Sequence, residues 1–433
     1  MLIAQVHAAG QEVVRLSVAD AQAYALQHNV NVINSGLEID VARNDVRQLV
    51  RTGLPQVNGE IGYTHFPALP TSLIPAEFLG GTKGEFEPVQ FGTEHNVRAG
   101  ATLSQLLFDG SYLIGVKAAR QYVDLRKKEL VQNEVATREL VAKAYYSVLV
   151  ADENVRLLER NHEVARKLHY ETDQIFKAGF VEEIEVDRLA LTLANIESQI
   201  SSAKRFKSLS ESLLKFQMGM DAVQPIALTD SLSTLTNSPG ELMLADANPA
   251  SRIEWELMDM HRSLRELNIK RLTSGYYPTL SLFMNYENSA QRGAFDFFEP
   301  DKPWYQMASW GVTMKIPIFD SFQKSAGIQK ERTQLQIVMN QREQLRQGIN
   351  LEVEQARTNY LNATEQVQTQ TKNLSLAEKI LNTARLKYAE GVGSSLELSS
   401  AQTTWLQTQT LYIQSLYELL IAKTDLQKAL GIL

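Results

Sequence analysis

The sequence predicts a mainly α protein that also carries membrane-type β-strands: very long helical hairpins of coiled-coil character, each preceded by two amphipathic strands. Three observations lead there. Residues 111–178 and 321–390 contain no proline and place small or apolar residues at alternating spacings of three and four, the repeat of helices packed side by side. Four shorter segments alternate apolar and polar residues with the period of a strand. The two halves also overlay at a constant shift of 212 residues, with Gly179 on Gly391 and Gly219 on Gly431, which marks an internal duplication.

Composition sets the limits. The 433 residues are 44% hydrophobic with a net charge of -7, enough apolar content for a folded chain of more than one domain. No run of Lys and Arg follows a phosphate backbone, so no nucleic-acid partner is expected. There is no cysteine, which excludes disulfides, thiolate metal sites and thiol nucleophiles within these residues. The densest apolar helical stretch, Tyr145 to Ala151, falls far short of the ~20 residues of a spanning helix. A membrane crossing would therefore use β-strands.

In chain order, residues 1–15 read as the remnant of an export signal or as a disordered N-terminus, Val6-His7-Ala8 resembling the small-x-small end of such a signal. Residues 16–219 form the first repeat, with strands at about 55–66 and 95–108 and a helical hairpin over 111–216. In its long helix Val141, Ala144, Val148, Ala151, Val155, Leu158, His162 and Ala165 make the stripe, whose alanines let backbones approach closely. Residues 220–248, rich in Asp, Ser, Thr and Pro, read as an irregular equatorial link. Residues 249–433 repeat the pattern, with strands at about 278–290 and 304–318 and a hairpin over 321–430. The second stripe runs from Val353 to Tyr388 with Gln370 its one polar member. Loops at Pro67 to Gly92 and Asn288 to Pro303 split the strand pairs, and aromatics (Tyr63, Phe66, Tyr276, Tyr277, Trp304, Tyr305) gather at strand ends, where membrane barrels place their girdles. Four strands are too few to close a barrel, so several chains must contribute.

This order of elements resembles the TolC-like outer-membrane efflux family from about Leu16 to Leu433. The local marks are Leu107-Phe108-Asp109-Gly110 and Pro317-Ile318-Phe319-Asp320-Ser321 at the strand-to-helix junctions, Ala178-Gly179-Phe180-Val181 and Glu390-Gly391-Val392-Gly393 at the tips, and the ending Lys428 to Leu433. The resemblance implies a homotrimer with a twelve-stranded β-barrel in outer-membrane lipid and an α-barrel through the periplasm. It implies tips that dock a periplasmic adaptor coupled to an inner-membrane transporter, and a passive efflux channel with no enzymatic role and no cofactor. Acids just past the tip glycines would ring the entrance; Glu185 and Glu397 match them, and a favourable place at the start of a returning helix is their other reading. Tyr388 matches a Tyr that closes the entrance, whereas Gly393 stands where the family has an Arg and Ser400 replaces a second acid.

No phosphate loop, metalloprotease helix or nucleophile elbow is present. His162 reads as a packed residue, and Met258, Met260 and His261 as a helix face rather than a metal site. Two other functions fit the same pattern: the outer component of type I protein secretion, and a soluble coiled-coil scaffold with two β-hairpins.

Overall fold

A computed structural model describes residues 13–236 and 248–433. The chain forms two compact units, one of residues 1–40, 124–261 and 338–433, the other of residues 41–123 and 262–337.

The first unit is mainly helical. It holds most of two hairpins, α3 (Gly110–Lys177) with α4 (Glu183–Met218), and α7 (Gln323–Ala389) with α8 (Ser395–Ala429); the first turns of α3 and α7, up to residues 123 and 337, belong to the second unit. At 1.5 Å per residue α3 is roughly 100 Å long, and it carries its own backbone hydrogen bonds throughout. One core cluster joins Val141, Tyr145 and Val148 of α3 to Leu214 and Met218 of α4 and to Leu416 and Leu420 of α8. A second joins Val353, Ala356, Tyr360 and Ala363 of α7 to Leu419, Ala422 and Leu426 of α8. The α3 stripe departs from expectation at one point: Asn161, not His162, takes the buried position after Leu158. Positions 158, 161 and 165 also alternate three and four, so an asparagine fits the period as well as the histidine does. His162 is half-buried at the edge of the stripe, its Nε2 3.1 Å from a Glu197 carboxylate oxygen on α4.

All four hairpin helices end by the same device. The Phe180 N–H donates to the Ile175 carbonyl and the Gly179 N–H to that of Phe176, and the pattern repeats at Met220 and Gly219, Val392 and Gly391, and Ile432 and Gly431. In each, the glycine has positive φ, between 70° and 81°, a conformation that costs glycine nothing.

The duplication extends into the segment expected to be irregular, 220–248. It contains β6 (Ile226–Leu228) and α5 (Leu232–Thr236), and β6 pairs in parallel with β1 (Val14–Leu16), Leu16 opposite Leu228. Each residue thus lies against its own counterpart 212 positions away. The tail read as 1–15 likewise ends in a strand; Val6-His7-Ala8 and residues 237–247 lie outside the described residues. Tyr145 ties this sheet to α3, its hydroxyl donating to the Leu16 carbonyl at 2.9 Å and accepting the Asp230 N–H at 3.3 Å.

Two further helices, α2 (Val30–Thr52) and α6 (Ile253–Ser274), follow α1 (Val18–His28) and a short turn at Pro249–Ser251 respectively. The residue ahead of each caps a returning helix: Asn29 Nδ2 donates to the Gln217 carbonyl at 2.7 Å, and Arg252 Nη1 to that of Ala429 at 3.0 Å. Gln217 and Ala429 are again 212 apart. A Cβ on Gly219 would lie 2.3 Å from the His28 carbonyl oxygen, so this junction closes only with glycine there.

The second unit is built on one antiparallel sheet ordered β2 (Gln56–His65), β5 (His95–Phe108), β7 (Thr279–Arg292), β8 (Tyr305–Lys315). The two strand pairs are one sheet because β5 pairs with β7 along nearly its whole length. The loop expected between Pro67 and Gly92 holds a second hairpin, β3 (Thr71–Pro75) with β4 (Phe86–Gln90), and a short 3-10 turn at Ala76–Leu79. Each of these strands is five residues long and includes a proline, which hides the alternation a strand normally shows. The other loop begins later than expected, since β7 runs on to Arg292. It is pinned by Arg292 and Lys302, both of which pair with Asp296.

Candidate functional site

Two surfaces carry the chemistry: the faces of the sheet and the tips of the hairpins. Register decides the first. Val57, Leu103, Met284 and Trp310 lie directly opposite one another across the four strands, as do Gly59, Ala101, Tyr286 and Ala308. Side chains alternate along a strand, so every apolar run falls on one face. The opposite face carries the rows Asn58, Thr102, Asn285, Ser309 and Glu60, Gly100, Glu287, Met307. At the loop end of the apolar face Phe295 and Phe297 lie against Tyr63 and Ala290 is buried, but the rest of it is open: Ile61 is 82% exposed and Trp310 73%. The hairpins are therefore not packed on a core, as a soluble scaffold would require. Such a continuous apolar patch has to meet lipid or protein. Among the described residues the outer strands β2 and β8 each leave one edge unpaired.

Gly100 makes the sheet's tightest approach to a backbone atom. A Cβ there would lie 2.7 Å from the Tyr286 carbonyl oxygen, so a side chain would push β5 and β7 apart at mid-strand.

At the tips, Gly179 and Gly391 have open space around them, and the residues that follow project outward. Phe180 is 83% exposed and its counterpart Val392 79%. Ile184 and Leu396, also 212 apart, are exposed as well. The tips thus present the same apolar pair twice. Ala178, Val181, Glu390 and Gly393 complete the two turns; the Gly393 N–H donates to the Lys387 carbonyl at 3.0 Å, tightening the second.

The matched acids have different partners. Glu185 sits 3.4 Å from Arg188 in its own helix, while Glu397 accepts from Lys387 on the facing helix at 2.8 Å. The Glu397 N–H is capped by the Ser394 hydroxyl, so the carboxylate lies in the first turn of α8, where the helix dipole favours negative charge. Tyr388 crosses between the hairpins: its hydroxyl is 2.9 Å from that of Thr172 on α3, and Thr172 is fully buried at 0% exposure. Thr172 and Lys387 were not among the residues singled out from sequence. Thr172 fits the helical period after Ala165, so its burial was legible, but its partner was not. Met258 and Met260 are half-buried on α6 and His261 is exposed; among the described residues no group of three or more acidic or histidine side chains could hold a metal ion.

A sheet with a largely exposed apolar face, in a chain that also carries long helical hairpins, is the pattern of a membrane β protein with a helical extension. Solved outer-membrane proteins share this fold. CusC superposes with a TM-score of 0.75 over 96% of this chain and 92% of its own at 18% identity. VceC of Vibrio cholerae gives 0.71 over 96% of each chain at 14% identity. In sequence, residues 22–219 and 260–432 match the outer membrane efflux protein family. The chain belongs to that family and is an outer-membrane protein. The cobalt-zinc-cadmium resistance protein CzcC of Cupriavidus metallidurans is 24% identical over 328 residues, 73% of this chain and 74% of the relative.

Proposed function

We propose that three copies of this chain form a passive outer-membrane channel, the exit duct of a tripartite efflux pump reaching from periplasm to exterior. The observation that carries this reading is the sheet. Its apolar face suits acyl chains, its polar face suits a water-filled lumen, and its open edges call for partners. Four strands fall below the smallest membrane barrels of about eight, and three copies supply twelve, the number that family resemblance implies. The helical hairpins then extend into the periplasm, and the repeated apolar pairs Phe180 with Ile184 and Val392 with Leu396 are the docking points for a periplasmic adaptor coupled to an inner-membrane transporter.

The entrance is held by the Tyr388–Thr172 hydroxyl bond between hairpins and by the Lys387–Glu397 pair within the second. These stand in for the arginine that Gly393 replaces. Opening separates the second hairpin from the first when an adaptor engages the tips. Glu185 and Glu397 bias the entrance toward cations. The description of CzcC makes divalent metal cations the first cargo to test.

Conductance of the detergent-purified protein in planar bilayers tests the channel. Discrete cation-preferring steps, altered by Glu397→Gln, are expected; failure to insert across several lipid compositions sinks the proposal. In a deletion strain, lost tolerance to cobalt, zinc or cadmium supports efflux, whereas a defect confined to protein export would assign the chain to secretion.

A further inference from the structure

The junction between β8 and α7 has a backbone that its sequence does not favour. Ser321 and Phe322 both have positive φ, 52° and 65°, the left-handed region that side chains resist. Glycine would sit there freely, and here one of the two positions holds a bulky aromatic. The turn is fixed by Asp320, whose carboxylate accepts from the Lys324 N–H at 3.2 Å and from Lys324 Nζ at 3.0 Å. The rings beside it are left outside. Ile318 is 94% exposed, Phe319 75% and Phe322 74%, and the two rings meet only edge to face, with centroids 5.9 Å apart. Within the described residues this arrangement gains little to offset an unfavourable backbone, so its benefit lies outside the chain.

Three observations point to what covers it. The exposed run continues without a break from the apolar face of β8, through Trp310, Val312, Met314 and Ile316. It lies at the helix end of the sheet together with exposed Tyr276 and Tyr277, which precede β7. Lys324 lies over the Tyr276 ring, 5.6 Å from its centroid. Aromatic rings bordered by a lysine with an apolar stem suit the level where acyl chains meet headgroups.

We propose that Ile318, Phe319 and Phe322 form a lipid anchor that inserts at the acyl–headgroup boundary of the helix-side leaflet and sets the depth at which the sheet sits. This rests on the reading of the apolar face as lipid-facing, and extends it past the last strand residue into a strained turn.

The cysteine-free chain permits a direct test. Ile318→Cys, Phe319→Cys and Phe322→Cys, made singly in the full-length protein, are labelled with a nitroxide and reconstituted in phospholipid vesicles. Collision with oxygen, which concentrates in lipid, is compared with collision with a water-soluble nickel chelate. Val312→Cys on the apolar face and Thr313→Cys on the polar face bracket the scale. The junction labels are expected to favour oxygen several-fold over the nickel chelate, with a ratio between the brackets. Labels reached by nickel as readily as Thr313→Cys would overturn the anchor. So would labels immobile and reached by neither, because a second copy would then cover the junction. If Val312→Cys itself fails to favour oxygen, the lipid-facing reading of the sheet falls and the anchor with it. Phe319→Cys lies outside the two strained positions, so it reads the site even where Phe322→Cys misfolds.

Discussion

At the scale of residues, single partners separate structural polar groups from those that can switch. Thr172 is fully buried and has the Tyr388 hydroxyl as its partner. Tyr388→Phe leaves that hydroxyl unpaired, weakening the contact between the hairpins by about 1–3 kcal/mol. The expected outcome is a larger resting conductance in bilayers, a similar rise for Thr172→Val, and a double variant whose effect is smaller than the sum of the two. Other pairs only stabilise. Burial opposes the charge on Glu139, yet Lys143 and Lys428 outweigh it and hold the carboxyl below its usual range. Glu254, also disfavoured by burial, is held low by Arg252. A carboxyl with a depressed folded pKa adds stability that is fully present above its unfolded value near 4.5 and is lost as pH falls through the lower folded value. The thermal midpoint should therefore hold from pH 7 to about 5 and fall below that, and Glu139→Gln should flatten the fall. His162, the residue the stripe reading picked out, bonds at the surface of the hairpin instead.

At the scale of elements, glycines with the same φ have unequal constraints. Gly179 and Gly219 both end a helix with positive φ, but a Cβ at Gly179 meets nothing within 4 Å, whereas one at Gly219 would lie 2.3 Å from the His28 carbonyl oxygen. Alanine at Gly179 should cost about 1–2 kcal/mol, the price of a left-handed L-residue. Gly219→Ala adds a backbone clash and should lower the thermal midpoint of the purified protein several times further. Gly391 resembles Gly179 in having open space. Gly391→Val is expected to impair transport in cells while leaving native-gel mobility unchanged. Loss of the oligomer instead would show that the tip does more than dock. These contrasts were invisible in sequence, where the glycines differ only in position. The hairpin β3–β4 was hidden for a related reason, since its prolines break the period that identifies a strand.

At the scale of the whole molecule, the proposed trimer can be tested by counting. If copies join head to tail through the free edges of β2 and β8, three of them close a ring. Cysteines at Glu60→Cys and Ser309→Cys, on the polar face of the two edge strands, should link copies through a short flexible thiol cross-linker into species of two and three chains and no larger. A ladder beyond three would mean that the edges do not close, and no linkage at all would place other elements against them.

What the sequence determined by itself is everything encoded in a period or a repeat. The heptads of α3 and α7, the alternation of four strands, the duplication at 212 residues and the glycines at both tips all follow from spacing, because helices and strands place side chains at fixed local intervals. Tertiary structure alone decided which periods meet. Register brought four apolar faces to one side of one sheet. Three-residue strands β1 and β6, too short to show a period, found each other across 212 residues. Lys387 turned toward Glu397, Tyr388 toward Thr172, and Asn29 and Arg252 toward the ends of two returning helices. Lys387 and Glu397 meet across one tip, ten residues apart; the others are long-range pairings set by backbone geometry, and local spacing carries no record of them.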